Sequence, residues 1–150
     1  MMMTTQLFNS IYEVGLRFLI ILYLTKDNPN LNTKYHLLAI DHIALYGENY
    51  KISDINLHGH SNFSSAEFAN RYLKVDNILN YLSNINLITS NISKNKEYVY
   101  SITEYGCRVY EKLNKTQDYF KNYHNNVRFA LNKFEYKSDI DLFNLILKNI

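Results

Sequence analysis

Apolar residues recur along the chain at spacings that predict five helices and one hairpin. Val14, Leu16, Phe18, Leu19, Ile20, Leu22 and Tyr23 cover most of the circumference of a first helix. A helix apolar nearly all round is buried on several sides. Ser10, with Glu13 three positions on, supplies a capping box for its start, and Asp27-Asn28-Pro29-Asn30 stops it. A second helix runs from about Thr33 to Tyr46 on the core positions Leu37, Leu38, Ile40 and Ile43, with Gly47 closing it. Residues 48–63 are polar and carry no period. Ser64 and Glu67 then form a second capping box. After it Phe68, Tyr72, Val75, Leu79 and Leu82 recur at 4-3-4-3 spacing on one face of a third helix. Asn70, Arg71, Lys74, Asn77 and Tyr81 fall on the other side.

Two β-prone runs follow, about Leu87–Ile92 and Glu97–Ile102, joined by Ser93-Lys94-Asn95-Lys96. Such runs flanking a short polar loop predict a hairpin. Thr103 caps a fourth helix, along which Val109, Leu113, Thr116, Phe120, Tyr123, Val127, Ala130 and Phe134 form a near-heptad stripe. Unbroken to Lys133, it would be about 45 Å long and would project beyond the core. Ser138 and Asp141 open a last helix that ends at Ile150. Its apolar residues cover more than one face. With one side packed on the long helix, Phe143, Ile146, Leu147 and Ile150 are candidates for docking a partner.

Helix, hairpin, helix is the layout of a winged helix. The stretch "ILNYLSNINLITSNISKNKEYVYSITEYGCRVYEKL" resembles the wing region of PadR- and MarR-type regulators. The expectation is a mainly α, winged-helix-type fold with a small β-hairpin wing and a long C-terminal helical extension over 103–150. It forms one domain over 1–150, with 1–7 as a loose tail and no internal repeat or linker.

Composition narrows the function. A chain of 150 residues, 47 % hydrophobic, is long enough for one real core. Its net charge of +2 makes no general electrostatic case for nucleic acid. The lone Cys107 excludes an internal disulfide and a Cys-based zinc site, which suits a reducing compartment. The apolar run Val14–Leu24 contains Arg17 and falls short of the roughly 20 residues a span needs. No secretory leader pattern precedes it. The expectation is a cytoplasmic protein without a membrane segment.

His58-Gly59-His60, with Asp54 nearby, lacks a third ligand at metal-site spacing. No phosphate-cradling glycine loop, nucleophile elbow or HExxH is present. No metal, no cofactor and no catalysis are therefore expected. The nucleic-acid candidates are Asn70, Arg71 and Lys74 on the third helix, with Lys94 and Lys96 at the wing tip. Glu67 and Asp76 oppose them, and wing-tip phosphate contacts would position without specifying sequence. The gap between Tyr46 and Ser64 also exceeds the 3–4 residues of a DNA-reading helix-turn-helix. DNA binding is expected to be weak, or to arise only within a complex.

The most specific motif is "FNSIYEVGLRFLIIL". It resembles the opening of the middle component of bacterial ABC-three-component systems, in particular the second family of such components. The matched positions are Phe8, Asn9, Ser10, Glu13, Gly15, Leu16 and Arg17. "LHGHSNFSSAEFANRY" is similar to a second segment of that family at Leu57, His58, Glu67 and Arg71. Ile11 and Gly59 depart from the family's prolines, Ser64 and Tyr72 from arginines, and Ala66 from a glycine. These changes remove cations from the front of the third helix.

The resemblance implies a Lamassu-like anti-phage defence operon. In such operons a non-enzymatic adaptor links an SMC- or Rad50-like ABC ATPase to an effector, often a nuclease. It implies Phe8, Asn9, Ser10, Glu13, Gly15, Arg17, His58, Glu67 and Arg71 as partner-binding residues. The competing reading is a homodimeric winged-helix transcription regulator, with the long helix as its dimer interface.

The motif also has a physical reading. Phe8 and Val14 are spaced to pack as a staple at the helix start. Gly15 costs a helix about 1 kcal/mol against Ala, which suggests close approach of another backbone. Arg17 in an apolar helix needs a carboxylate or carbonyl partner, either within the chain, such as Glu13 one turn back, or across a subunit interface.

Overall fold

The computed structural model describes residues 10–58, 64–113 and 117–149. Their elements are α1 (Ile11–Leu24), α2 (Lys34–Leu45), α3 (Ser64–Asn84), β1 (Ile88–Ile92), β2 (Tyr98–Ile102), α4 (Glu104–Glu111), α5 (Asp118–Lys133) and α6 (Asp139–Lys148). The staple residue Phe8, the 1–7 tail and Ile150 lie outside the described residues.

Local chemistry sets most of the boundaries. The hydroxyls of Ser10, Thr33, Thr103 and Ser138 each accept the N–H three residues on, at the starts of α1, α2, α4 and α6. At the end of α3, Asn86 takes a left-handed conformation with φ 64°. Leu87 N then donates to Leu82 O at 3.0 Å and Asn86 N to Ser83 O at 3.0 Å. This Schellman closure turns the chain out of α3 and into β1. The hairpin pairs Ile88 with Ile102 through Ile92 with Tyr98 in antiparallel register. Lys96, at φ 60°, provides the left-handed turn residue.

α1 and α2 form the centre. α1 touches α2, α3, α4, α5 and β2, while α2 carries α3, α5 and α6 on its flanks. Val14, Phe18, Ile21, Leu37, Leu38, Ile43 and Leu45 are all fully buried. β2 is tied to the turn before α2 by one backbone bond, Tyr100 N to Asn32 O at 2.9 Å. Gly106 sits where α4 crosses the start of β1. A Cβ there would lie 2.2 Å from Leu87 O, so only glycine lets the two backbones approach.

Several expectations are corrected. The long helix is broken: α4 ends at Glu111, and α5 begins at Asp118. The last turn of α4 tightens through Lys112 N to Val109 O and Leu113 N to Tyr110 O, both 3.1 Å. The break lets α5 pack on α2, which buries Tyr123, Val127 and Ala130 completely. A straight rod would have carried those side chains into water, against their hydrophobic free energy. The Tyr110 hydroxyl reaches His124 Nε2 at 2.6 Å and fastens the two helices together. α6 packs chiefly on α2.

On α3 the buried face is Phe68, Arg71, Val75, Ile78, Leu79 and Leu82, while Tyr72 is exposed. Arg71 displaces Tyr72 because its charge is paired inside. α3 begins at Ser64 itself, and the Glu67 carboxylate turns inward to Tyr46, His58 and Arg71. Gly47 serves space more than helix termination. A Cβ there would meet Ser53 Oγ at 2.3 Å and Ile55 O at 2.9 Å.

Candidate functional site

Two opposite charges in two apolar helices must find each other or be expelled from the core, because burying either one alone is prohibitive. Arg17 comes from α1 and Asp41 from the middle of α2. Arg17 Nε meets Asp41 Oδ1 at 2.8 Å and Nη2 meets Oδ2 at 3.3 Å, a two-pronged pair with both side chains at most 1 % exposed. From α5 the Tyr123 hydroxyl donates to Asp41 Oδ1 at 2.6 Å. From α3, Arg71 Nε lies 3.3 Å from Asp41 Oδ2. Asp41 thus joins four helices at one carboxylate.

Arg71 carries the network outward. Its Nη2 donates to His42 Nδ1 at 2.8 Å and its Nη1 to Glu67 Oε2 at 3.4 Å. The Tyr46 hydroxyl and His58 Nδ1 donate to the same Glu67 oxygen at 2.8 and 2.7 Å. Through His58 the network holds the end of the 46–58 loop against α3. That loop is pinned at its base as well, by Leu57 N to Leu45 O at 2.8 Å.

The electrostatics are those of a balanced cluster. Burial alone would raise Asp41, but the Arg17 and Arg71 guanidiniums hold its carboxyl below the usual range. Burial likewise works against the Arg17 cation, yet its two-pronged pair with Asp41 raises it above its ordinary value. Arg71, with a longer single contact to Asp41, is lowered by burial. Burial and the Arg71 charge push His42 down to about 3. A guanidinium only donates, so His42 is neutral and accepts at Nδ1. Glu67 is opposed by burial but held low by His58, Tyr46 and Arg71.

The residues of both motif segments therefore meet in space. Arg17 belongs to the first, and His58, Glu67 and Arg71 to the second. Asp41, which neither contains, bridges them. Asp41, His42, Tyr46 and Tyr123 escaped sequence reasoning, although an aspartate inside Leu37–Leu45 was as clear a signal as Arg17 inside its own helix.

The carboxylate partner expected for Arg17 within the chain is found, and it is Asp41 of α2. Gly15 faces side chains, not a backbone; a Cβ there would lie 3.3 Å from Leu82 Cδ2. Ser10 caps α1 at the N–H of Glu13. Arg71, expected on the outward face, has no exposed surface. Asn70, Lys94 and Lys96 are exposed and Lys74 is half-buried. Asn9, Gly59 and His60 lie outside the described residues. Among the described residues no group of three His, Cys, Asp or Glu is placed to hold a metal.

At the C-terminus Leu142 and Ile146 are fully buried. Phe143 stacks edge-on against Tyr35 and Phe68, and the Thr33 hydroxyl bonds Asp139. Leu147 and Ile140 remain exposed beside a groove of about 870 Å³ between α6 and the wing. Removing residues 138–150 is therefore expected to unfold or aggregate the chain. Circular dichroism with a thermal melt checks this; a truncated chain that melts like the full one would show α6 to be dispensable.

The arrangement defines a mainly α, winged-helix-like protein with a two-stranded hairpin. Over residues 7–150 the chain matches the family described as ABC-three component (ABC-3C) system Middle Component 2, and it belongs to that family. No curated protein and no solved structure matches it. No helix among the described residues is long and apolar enough to cross a membrane.

Proposed function

We propose that this chain is a non-enzymatic adaptor, a single cytoplasmic domain that links the ABC ATPase of its three-component system to an effector. The observation that carries the reading is the family match across residues 7–150, which makes nearly the whole chain one part of a multi-part system. The proposal extends to a Lamassu-like defence operon, an SMC- or Rad50-like ATPase and an effector such as a nuclease. In this reading the motif residues Arg17, His58, Glu67 and Arg71 act from within. They fix the relative positions of α1, α2 and α3, and so shape the outer surface the partners meet. Ser10, Glu13 and Gly15 belong to the same scaffold, and Phe8 and Asn9 are proposed as partner-binding residues on the family motif alone.

The regulator reading loses its main support, because the helix it would use for dimerisation is divided into α4 and α5.

Co-expression tests the proposal. The tagged full chain, produced together with the ATPase and the remaining component encoded beside it, is expected to bring down both at fixed ratio. Recovery of the chain alone at physiological salt would reject the adaptor role.

A further inference from the structure

The hairpin has two edges, and backbone bonding tells them apart. Thr103 N donates to Leu87 O at 3.0 Å and Ser93 N to Glu97 O at 2.8 Å, just beyond the two ends of the β1–β2 ladder. In an antiparallel pair the backbone groups of alternate residues point toward the partner strand and away from it. The bonds at 87 and 93 therefore fix Leu87, Thr89, Asn91 and Ser93 as the inward set. Ile88, Ser90 and Ile92 turn their N–H and C=O groups away from β2. On β2 the outward set is Tyr98, Tyr100 and Ile102, and that edge is held by the turn before α2, through Tyr100 N to Asn32 O at 2.9 Å. Among the described residues nothing pairs with the outer edge of β1.

An open strand edge is a template for another strand, and proteins that keep such an edge single place a lysine, a proline or a bulge on it. β1 reads Ile-Thr-Ser-Asn-Ile, and its register with β2 runs without a bulge. Thr89, Ser90, Asn91 and Ile92 are all exposed, so both faces of the strand are open to an incoming neighbour. Ile92 and its cross-strand partner Tyr98 are 66 % and 61 % exposed, an apolar pair that the chain leaves uncovered near the wing tip.

We propose that β1 pairs antiparallel with β1 of a second copy of this chain, about a two-fold axis at Ser90, and joins the two hairpins into one four-stranded sheet. Register selects this occupant. With Ser90 opposite Ser90, Ile88 falls opposite Ile92, and all three outward residues of each strand are paired. Sliding by two residues leaves one of them without its match. In the central register the row across one face reads Tyr98, Ile92, Ile88, Ile102, so the exposed pair of one wing is continued by the apolar base of the other. Charge agrees with it: β1 has no ionisable side chain, and Lys94 falls beside Asn86, not beside a second lysine. The two-fold axis closes the contact, so association stops at the dimer. One strand pair is a small interface, and the dimer is correspondingly weak. The pairing goes beyond the adaptor reading and stands or falls without it.

Sedimentation velocity of the full chain over a dilution series tests the pairing. Wild type is expected to pass from monomer to dimer as concentration rises. Ser90→Pro removes an N–H that the chain itself does not use, a place where an edge strand accepts proline. Ser90→Lys sets two cations side by side at the axis. Both replace an exposed side chain and are expected to melt like wild type, and each should raise the dimer Kd at least about tenfold. Oxidation of single cysteines, in a Cys107→Ser background, checks the register. Ser90→Cys is expected to cross-link at least about tenfold faster than Thr89→Cys or Asn91→Cys, because only the residue on the axis meets its own copy within disulfide reach. If Ser90→Pro does not fold, Ser90→Lys decides. The proposal is overturned if wild type stays monomeric at every concentration, or if the folded Ser90 variants dimerise as wild type does. Equal cross-linking at 89, 90 and 91 would overturn it too. If the chain alone is monomeric and Ser90→Lys instead loses a co-expressed component of the system, the edge belongs to that component and self-pairing is rejected.

Discussion

Asp41→Ala is expected to destabilise the chain by about 3–5 kcal/mol, the range for removing one partner of a buried ion pair. Asp41 accepts from Arg17 and Tyr123 and lies against Arg71. Its loss leaves two fully buried guanidiniums with Glu67 as the remaining carboxylate of the cluster. Arg17→Ala should cost less, because Arg71 and Tyr123 keep Asp41 paired. Lys94→Ala, at the exposed wing tip, should change stability by less than about 0.5 kcal/mol. Urea unfolding of the three variants measures the order. Replacing Arg17 and Asp41 together with Met and Leu should recover part of the single-mutant loss, since a well-packed apolar pair avoids stranding a charge. Equal midpoints for Asp41→Ala and Lys94→Ala would show that the network contributes nothing to the fold.

The second large effect is acid sensitivity. Burial pushes His36 down to about 4 and His42 to about 3. Both are neutral in the folded and unfolded chain above about pH 6.5, so neither costs stability there. As pH falls below that value the unfolded chain takes up protons the folded chain refuses, and stability declines. Each histidine accounts for about 3 kcal/mol by pH 4, at 1.36 kcal/mol for each pH unit crossed. Asp41 adds to the loss at lower pH. Its folded value is depressed, so its contribution is present above the unfolded carboxyl range and is lost as pH falls through the folded one. Urea midpoints at pH 7, 5.5 and 4.5 are expected to drop steadily, and His42→Gln should flatten the slope. A midpoint flat from pH 7 to 4.5 would contradict the burial of these rings.

Features decided by neighbours in sequence were legible. Ser10, Thr103 and Ser138 cap where their spacing predicts, and the hairpin differs by one residue at each strand start, because caps and turns are local hydrogen-bond chemistry. Features decided by distant partners were not. The apolar stripe of 103–134 runs on past the end of α4 at Glu111, so periodicity alone describes one rod. The exchange of Arg71 for Tyr72 on the buried face of α3 depends on Asp41, thirty residues earlier, and a hydrophobic pattern cannot see an ion pair. α6 was legible as a helix apolar on more than one face, but its packing on α2 was not. Of the candidate site, the motif residues were found and their convergence was not, since the bridging Asp41 lies outside both motifs.

The adaptor claim is tested most directly by omission. The ATPase and effector components are purified with and without this chain and run together on a sizing column at physiological salt. With the chain present, all three are expected in one peak; with it left out, the ATPase and effector should elute separately. An ATPase–effector complex that forms equally well without the chain would contradict the account.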